Sequence, residues 1–515
     1  MSFLAQTSSA ASTSGASFPT IIYTCLVWSA LLFAAVVLVM PDQTHEQRSR
    51  IKSLGISGAG AALFFAIWAV ESQIADVALG TGGLPGGDLV ERHLWIASFQ
   101  FESTYHLDAD GLSLSLVMLF GVVFFCAALA AWKNDRHVKM LAVNLLILET
   151  AAMGVVVSYD WILFLLFWTL PIAPIYLLVR AFGHGQGDRA AGRYAVGMLA
   201  SGALLTLAAI LITFQGGLHS LDMGAVPVTL PGKGGGVAFW LITVAALLAM
   251  AIVPLHGALL DLEEDSTGVL SAIFVAVLPS LGAFALLHVA VGFFPTAAGS
   301  YSLFFAAVAV VTVVWAGLAA LRTDDLRRLI GHVGTVLMGV ALLGVAGHST
   351  IAVTGVMYLL IARGLVVSLL MLLVSAIQES TRRVRISQLG GLAWQAPYLS
   401  ALWLLASLSV AGIPFLAGFT GDYLIFTGSF PAHRWATAIV LGGTLLTAGV
   451  LLWTAQRIFF GSSQDSFARV RDVGPLDLTY LGVLIAVILL VGILPGHFAG
   501  LFQNGAGYIL FPGTV

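Results

Sequence analysis

Two interrupted apolar stretches decide the fold of this chain: AMAIVPLHGALLD at residues 249–261 and SLSVAGIPFLAGFTGD at residues 407–422. Both are apolar enough to lie in a membrane, yet the first contains Pro254 and the second contains Gly412 and Pro414. Proline removes a backbone donor and kinks a helix, and the freed carbonyl groups must then bind water or a side chain. The pattern therefore predicts two broken membrane helices with polar groups near each break.

The composition around these stretches excludes most classes of protein. Of 515 residues, 59% are hydrophobic and only 9% are charged, with a formal net charge of −3. A soluble domain has about 25% charged residues, so a cytosolic enzyme, a nucleic-acid-binding protein and a disordered protein are excluded. A membrane barrel would show ~10-residue alternating segments instead of long apolar runs. The two cysteines, Cys25 and Cys126, are too few for a disulfide scaffold or a thiolate metal site. We therefore predict an all-α polytopic membrane protein.

Fourteen apolar runs are long enough to cross the hydrocarbon core, which takes about 20 residues. In chain order they are named TM1 to TM14 and span residues 18–40, 54–74, 112–131, 140–157, 161–179, 194–214, 237–255, 269–293, 303–321, 329–347, 351–377, 399–416, 436–453 and 477–494. The interruptions fall in TM7 and TM12, which favours two inverted five-helix repeats, TM4–TM8 and TM9–TM13. Two ordinary proline kinks are the alternative. The predicted parts are N-terminal helices at 1–134 with an outer loop at 80–111, a first repeat at 135–295, a second repeat at 296–465 and a C-terminal helix at 466–515.

The positive charges of the loops predict the orientation. Loops after odd-numbered helices hold six groups of three Lys or Arg residues, 18 of the 22, whereas the other side holds three. This bias places both termini on the outer, periplasmic side of the inner (cytoplasmic) membrane. Residues 1–17 lack a basic n-region and a cleavage site, so we expect TM1 to stay in the mature chain. In the outer loop, WIASFQFESTYHL at 95–107 alternates apolar and polar residues, which predicts a short hairpin, with an irregular loop as the alternative.

Five ionisable residues in or beside apolar segments are candidates for an ion path, because such groups are costly in a bilayer. Glu149 in TM4 is either a site of ion movement or an interhelical hydrogen-bond partner. Arg363 in TM11 cannot release its proton and is expected mainly as a structural counter-charge. His256 and His288 titrate near neutral pH, although a lone intramembrane histidine is more often a hydrogen-bond partner. Asp422 follows the break in TM12.

Two charged stretches lie at predicted cytoplasmic turns. DLEEDSTG at residues 261–268 is interpreted as a solvated connection, with proton gathering as the alternative. RTDDLRRLIGH at residues 322–332 carries charges that membrane topology and snorkelling explain. The sequence shows no nucleotide loop, zinc spacing, haem motif or nucleophile triad. We therefore assign no catalytic, cofactor-binding or metal-binding residue.

Several of these segments together resemble the M-type antiporter-like membrane subunit of respiratory complex I (NADH:quinone oxidoreductase) and the related Mrp antiporter superfamily. The resemblance is carried by HLDADGLSLSLVML (106–119), VPLHGALLD (253–261), LRTDDLRRLIGHVGTVLMGVALLG (321–344), RGLVVSLLMLLV (363–374), RISQLGGLAWQAPYLSALWLLASLSVAGIPFLAGFTGDYLIFTGSF (385–430) and RIFFG (457–461). It implies proton translocation without redox chemistry in this chain, with NADH, flavin, iron–sulfur clusters and quinone held by partner subunits.

The sequence departs from that family at several positions. The resemblance implies a polar axis made of a glutamate on TM5, a lysine on TM7, a lysine or histidine on TM8 and an acid or lysine on TM12. The first three positions here are Thr169, Ala249 and, with an uncertain register, Ser280, none of which carries a charge at neutral pH. Arg363 stands where a histidine is expected on TM11, and Asp422 keeps the acid of TM12.

Two hypotheses follow from these departures. In the one we favour at this point, the chain is a structural spacer whose own proton channel is lost. In the other, the route has moved to Glu149, His256, His288, Arg363 and Asp422. Both imply a complex I-like assembly of membrane and peripheral subunits in a lipid bilayer, with no nucleic acid. The alternatives are a subunit of an Mrp-like cation/proton antiporter, a component of an inorganic-carbon uptake complex, and a purely structural membrane scaffold.

Overall fold

The computed structural model describes residues 21–78, 89–97, 102–215, 220–225, 233–460 and 472–512. Some of the predictions above concern residues outside these ranges. They are the polar segment 1–17, the parts of the outer loop at 80–88 and 98–101, the last residue of the RIFFG motif, and two cytoplasmic arginines, Arg469 and Arg471.

The described residues form a helical bundle in which twelve helices are long and apolar enough to cross a membrane. The continuous helices are TM1 Ile22–Val39, TM2 His45–Ala78, TM3 Gly111–Ala130, TM4 Val138–Val157, TM6 Gly187–Gln215, TM9 Ser302–Arg322, TM10 Leu326–Ala346, TM11 Thr350–Thr381, TM13 Arg434–Phe459 and TM14 Pro475–Ile493. TM5 joins Trp161–Thr169 to Ile172–Phe182, and TM8 joins Gly268–Phe284 to the π-helical turn Ala285–Val291. Short helices Pro295–Ser300 and Pro495–Leu510 precede TM9 and follow TM14. The chain is an all-α polytopic membrane protein, as its composition predicts.

TM7 and TM12 are both interrupted. Their two halves are Lys233–Ala249 and Gly257–Asp265 in TM7, and Pro397–Val410 and Ala417–Ser429 in TM12. Pro254 and Pro414 lie within the gaps, and Gly412 has a φ of 70°, a backbone conformation that favours glycine. The repeat relationship between the two halves of the chain, and the domain boundaries drawn from it, stay predictions.

The acidic stretch after the break in TM7 differs from its prediction as a solvated connection. Asp261 to Asp265 belong to the second half of TM7, which ends only at Asp265. Glu263 is buried together with Leu259 and Leu260, because residues three and four apart share one face of a helix. The predicted loop is therefore a helix end with one acid turned into the bundle.

The face of the bundle that is predicted to be the outer one carries the predicted hairpin. Strand β1 (Glu91–Ala97) pairs antiparallel with strand β2 (Glu102–Leu107), with Glu91 opposite Leu107. The Glu91 carboxylate accepts hydrogen bonds from the backbone N–H groups of Tyr23 at 2.7 Å and Thr24 at 3.2 Å. Because the first N–H groups of a helix have no partner within it, Glu91 caps TM1 from the hairpin.

TM11 lies at the centre of the bundle and is buried along nearly its whole length. It packs against TM3, TM8, TM10, both halves of TM12, TM14 and the C-terminal helix. Its approach to the second half of TM12 is especially close: a Cβ added at Gly421 would lie 2.7 Å from the backbone nitrogen of Leu359. TM11 is therefore the buried helix on which TM8, TM10 and both halves of TM12 converge.

Candidate ion path

Glu149 lies in the middle of TM4, and within the described ranges neither of its carboxylate oxygens has a hydrogen-bond partner. Its side chain ends a narrow cleft lined by TM2, TM3 and TM4, with about 30 Å³ of room for water. The cleft is mostly apolar, and its other end reaches Lys52, Trp132 and Asn134 on the predicted cytoplasmic side. A buried carboxyl group without a partner is costly unless it is protonated or hydrated. The cleft therefore connects the neighbourhood of Glu149 with the predicted cytoplasmic side.

The mouth of this cleft carries an ion pair. The Lys52 ammonium lies 2.6 Å from the Asp135 carboxylate and donates to the backbone oxygen of Trp132 at 2.7 Å. The hydrogen bond and positive charge of Lys52 lower the pKa of Asp135 below its ordinary value. The mouth is therefore hydrophilic, although most of the cleft behind it is apolar.

Two family positions that lack a charge here do not contribute to the interior path. Thr169 is exposed, and its hydroxyl donates within TM5 to the backbone oxygen of Leu165 at 2.9 Å. Ala249 ends the first half of TM7 and packs against TM8, where a Cβ added at Gly282 would lie 2.7 Å from its carbonyl carbon. Neither side chain can bind a proton near neutral pH.

Arg363 and Ser280 meet at one backbone carbonyl. Arg363 is buried and donates from Nε to the oxygen of Gly334 at 3.1 Å and from Nη1 to the oxygen of Ala276 at 3.4 Å. The Ser280 hydroxyl donates to the same Ala276 oxygen at 2.7 Å. The guanidinium of TM11 therefore reaches TM8 within one helical turn of Ser280, held by backbone oxygens of TM8 and TM10.

Asp422 shares a small cavity with this arginine. It is buried in the second half of TM12, and its Oδ1 has no hydrogen-bond partner in the described part of the chain. Asp422, Arg363 and Ser409 line a small cavity of about 10 Å³, and within the described residues the Ser409 hydroxyl is likewise buried without a partner. A cavity with unpaired polar atoms suits a small hydrogen-bonding guest such as water. The break in TM12 thus places the Asp422 carboxyl group in the same cavity as the Arg363 guanidinium.

Sequence reasoning missed two further interior groups, Glu263 and His332. Glu263 faces TM10, where a Cβ added at Gly331 would lie 2.5 Å from its Oε2, and it interacts electrostatically with Arg363. The ring centre of His332 lies 6.5 Å from that of His256, at the start of the second half of TM7. Helical periodicity over residues 257–265 is the signal that could have separated Glu263 from its partly exposed acidic neighbours.

The structure thus brings Arg363, Ser280 and Asp422 together, with Glu263 nearby. Glu149 lies in its own cleft, and His288 lies at the outer end of TM8, where its Nδ1 is 3.0 Å from Asp110. Among the residues that the structure describes, no group of three His, Cys, Asp or Glu side chains could hold a metal ion.

A helical membrane bundle with two broken helices and buried ionisable groups is the architecture of antiporter-like membrane subunits. Residues 158–447 match the family described as NADH:quinone oxidoreductase/Mrp antiporter, TM. The chain belongs to this family.

Named relatives confirm the M-type resemblance seen in the sequence. The chain is 28% identical over 422 residues to NAD(P)H-quinone oxidoreductase chain 4 1 of Synechococcus sp. (strain JA-2-3B'a(2-13)), covering 79% of each chain. It is 25% identical over 439 residues to NADH-quinone oxidoreductase subunit M of Rhodobacter capsulatus, covering 83% of this chain and 85% of the relative.

Two solved assemblies contain chains of the same fold. A chain of respiratory complex I from Thermus thermophilus, solved with bound NADH, superposes with a TM-score of 0.83 at 23% identity, covering 95% of this chain and 99% of that one. A chain of the Mrp complex from Dietzia sp. DQ12-45-1b superposes with a TM-score of 0.83 at 18% identity, covering 97% and 98%. The fold is therefore common to both kinds of complex.

Proposed function

We propose that this chain is an antiporter-like membrane-arm subunit of a proton-translocating, complex I-like NADH:quinone oxidoreductase, with an ion path that is atypical rather than lost. The observation that carries the proposal is the position of Arg363. Its guanidinium and the Ser280 hydroxyl donate to the same Ala276 oxygen. A positive charge from TM11 therefore lies beside the TM8 position where the resemblance leads us to expect a lysine or histidine.

An arginine at this place differs from a lysine in what it can do. Its pKa is so high that it does not release its proton in proteins. Arg363 would therefore act as a fixed charge that orders neighbouring acids and repels an arriving proton. Protons would be carried by groups on either side of the arginine rather than by the arginine itself.

Two acids flank Arg363 in the way this mechanism needs. Glu263 interacts with it from the second half of TM7, and Asp422 shares its cavity from the second half of TM12. Charges in a protein interior are screened less than in water and interact over several ångströms. A proton arriving at one acid would therefore alter the readiness of the other to bind one.

Glu149 would supply the cytoplasmic side of the route. Its cleft reaches the predicted cytoplasmic face, and TM4 packs against TM8, which carries Ser280. The displaced acid on TM4 would then replace the carboxylate that is missing at Thr169. This chain would hold no redox group: NADH, flavin, iron–sulfur clusters and quinone would be bound by partner subunits. The bias in positive charges favours an inner-membrane location with both termini outside.

The spacer hypothesis remains the second candidate, favoured by the exposure of Thr169 and the uncharged, tightly packed Ala249. An Mrp-like antiporter subunit is a third, since the Mrp chain has the same fold. Copurification separates the two assemblies: quinone-reductase subunits would support the first proposal, and antiporter partners would support the Mrp assignment. No observation specifically favours an inorganic-carbon uptake complex or a purely structural membrane scaffold.

The test of the atypical path is proton transport by the intact assembly in sealed vesicles. We expect Glu149→Gln and Asp422→Asn each to lower the number of protons moved per electron, because each removes a proton-binding group. Quinone reduction measured with an uncoupler should be retained, because no redox group is touched. Tyr423→Phe, at the exposed residue next to Asp422, is the matched control and should leave transport unchanged. Unchanged transport in both acid variants would reject the atypical path and leave the spacer.

A further inference from the structure

The outer face holds a histidine–carboxylate pair between the hairpin and the connection from TM6 to TM7. His106 on β2 places its Nδ1 3.0 Å from Oδ1 of Asp222. Arg92 on β1 lies 2.8 Å from Oδ2 of Asp222, and its side chain is 56% exposed, whereas that of Asp222 is 1% exposed. The Gly224 backbone N–H also donates to Asp222 at 2.8 Å. The pair is therefore buried, with its arginine in contact with solvent.

The charge state of Asp222 follows from these partners. Burial alone would raise its pKa, but the hydrogen bond and charge of His106, together with the Gly224 N–H and Arg92, hold the pKa below its ordinary value. Asp222 is therefore an ionised carboxylate at neutral pH. It offers His106 a constant negative partner that stabilises the imidazole when it takes up a proton.

A second histidine–carboxylate pair lies deeper, at the outer end of TM8. His288 places its Nδ1 3.0 Å from Oδ2 of Asp110, and both side chains are buried. Asp110 is the N-cap of TM3 and also accepts from the backbone N–H of Ser113 at 2.7 Å. His288 stacks on Phe284 with ring centres 4.8 Å apart. Its ring is thus held in one orientation on an acid from another helix.

Tyr159 lies between the two pairs. Its ring centre is 5.5 Å from that of His106 and 4.9 Å from that of His288. Within the described residues, the Tyr159 hydroxyl and Nε2 of His106 are both buried without a hydrogen-bond partner. Buried polar atoms are nearly always paired, so these two call for a mobile hydrogen-bonding partner between the rings. The other titratable groups that interact with Tyr159 are Asp108, Tyr23 and Tyr508.

We propose that the two histidine–carboxylate pairs and Tyr159 form the outer end of a proton path, which rests on the proposed function. His288 takes up a proton from the interior beside Asp110. The proton passes to Nε2 of His106 by way of water at the Tyr159 hydroxyl, which gains one proton as it gives up another. His106, then protonated on both nitrogens, gives its Nδ1 proton to Asp222, which passes it to solvent near Arg92, and the ring returns to its starting tautomer before the next transfer. Each histidine ends neutral, and one proton has moved outward.

The experiment measures proton transport by the intact assembly in sealed vesicles, with Asp422→Asn defining the share carried by this chain. Asp110→Asn keeps an N-cap residue on TM3 but removes the charge, and His106→Gln removes the titrating ring. We expect each to abolish at least half of that share. Because groups in series act as a unit, the double variant Asp110→Asn, Asp422→Asn should lose no more than Asp422→Asn alone. His348→Gln, at a half-buried outer histidine packed on Gly299, is the matched control and should leave transport unchanged.

A pH profile separates the relay from a purely structural role. Transport should depend on the pH of the outer compartment, and His106→Gln should lose this dependence while still assembling. If Asp422→Asn lowers transport but His106→Gln and Asp110→Asn do not, the relay is overturned and the proposed function stands. If none of the three lowers transport, the proposed function fails, and the relay with it.

Discussion

Replacing Gly421 by alanine tests whether the close contact between TM11 and TM12 is essential. The added Cβ would lie 2.7 Å from the backbone nitrogen of Leu359 and 2.8 Å from its Cα. Backbone atoms cannot rotate away, and ordinary contact begins near 3.4 Å, so the helices must separate by about 0.7 Å. Overpacking of this kind typically costs about 1–3 kcal/mol. Because Asp422 is the next residue, the same shift would also move the acid relative to Arg363.

The controls for this variant are Gly442→Ala and Gly449→Ala on TM13, where an added Cβ meets nothing within 4 Å. All three substitutions gain helix propensity of about 1 kcal/mol, which cancels in the comparison. We expect the free energy of unfolding of Gly421→Ala, measured by denaturant titration in micelles, to be about 1–3 kcal/mol below that of the controls. Equal stability of the three variants would show that TM11 and TM12 do not depend on this contact.

Three further predictions concern the hairpin and the interior acids. Protection of the hairpin amides against hydrogen exchange should decrease below about pH 4. An Asp222 carboxylate with a lowered pKa stabilises the fold at pH values above its ordinary pKa near 3.8, and this contribution is lost as pH falls through the lower pKa of the folded state. Asp222→Asn should abolish this pH dependence. Glu91→Gln should destabilise the hairpin and the start of TM1 by about 1–3 kcal/mol, because a buried acceptor for two backbone N–H groups loses its charge. The rate of proteolysis of the outer loop measures this loss of stability, and an unchanged rate would contradict the prediction. Gly331→Ala should displace Glu263 and lower proton transport, whereas Gly192→Ala, with open space around it, should not.

The helices and their breaks could be predicted from sequence because the bilayer permits few alternatives. Each span must satisfy its own backbone hydrogen bonds, so a run of about 20 apolar residues indicates a helix. Pro254 and Pro414 mark gaps in TM7 and TM12 because a proline cannot donate a backbone hydrogen bond. Alternation of apolar and polar residues over 95–107 indicated the hairpin but left an irregular loop as the alternative, which the pairing of β1 with β2 excludes.

The contacts of the interior groups could not be predicted, since they join residues far apart in the chain. Asp110 and His288 are 178 positions apart, and Arg363 reaches a carbonyl 87 positions away. Nothing local indicates which helix supplies a partner. A single sequence therefore identifies the costly groups, whereas their pairing depends on how the helices pack.

The burial of Glu263 could not be predicted for a different reason. It stands among four acids, and such a cluster normally indicates a solvated surface. Two of the neighbours do point outward: Asp261 pairs with Arg193 at 2.8 Å and Glu264 pairs with Arg328 at 3.0 Å. Glu263 faces inward because of its position on the helical turn, and that position depends on the residue at which the second half of TM7 begins.

The central position of TM11 limits how the rest of an assembly can act on this chain. A subunit bound to the periphery of the bundle has no direct access to Arg363, because other helices surround TM11. Its influence must arrive mechanically, as a tilt or slide of TM8, TM10 or TM12 that alters which carbonyl oxygens the guanidinium can reach. The surrounding helices thereby separate Arg363 from the lipid, whereas a movement of these helices would still change its contacts.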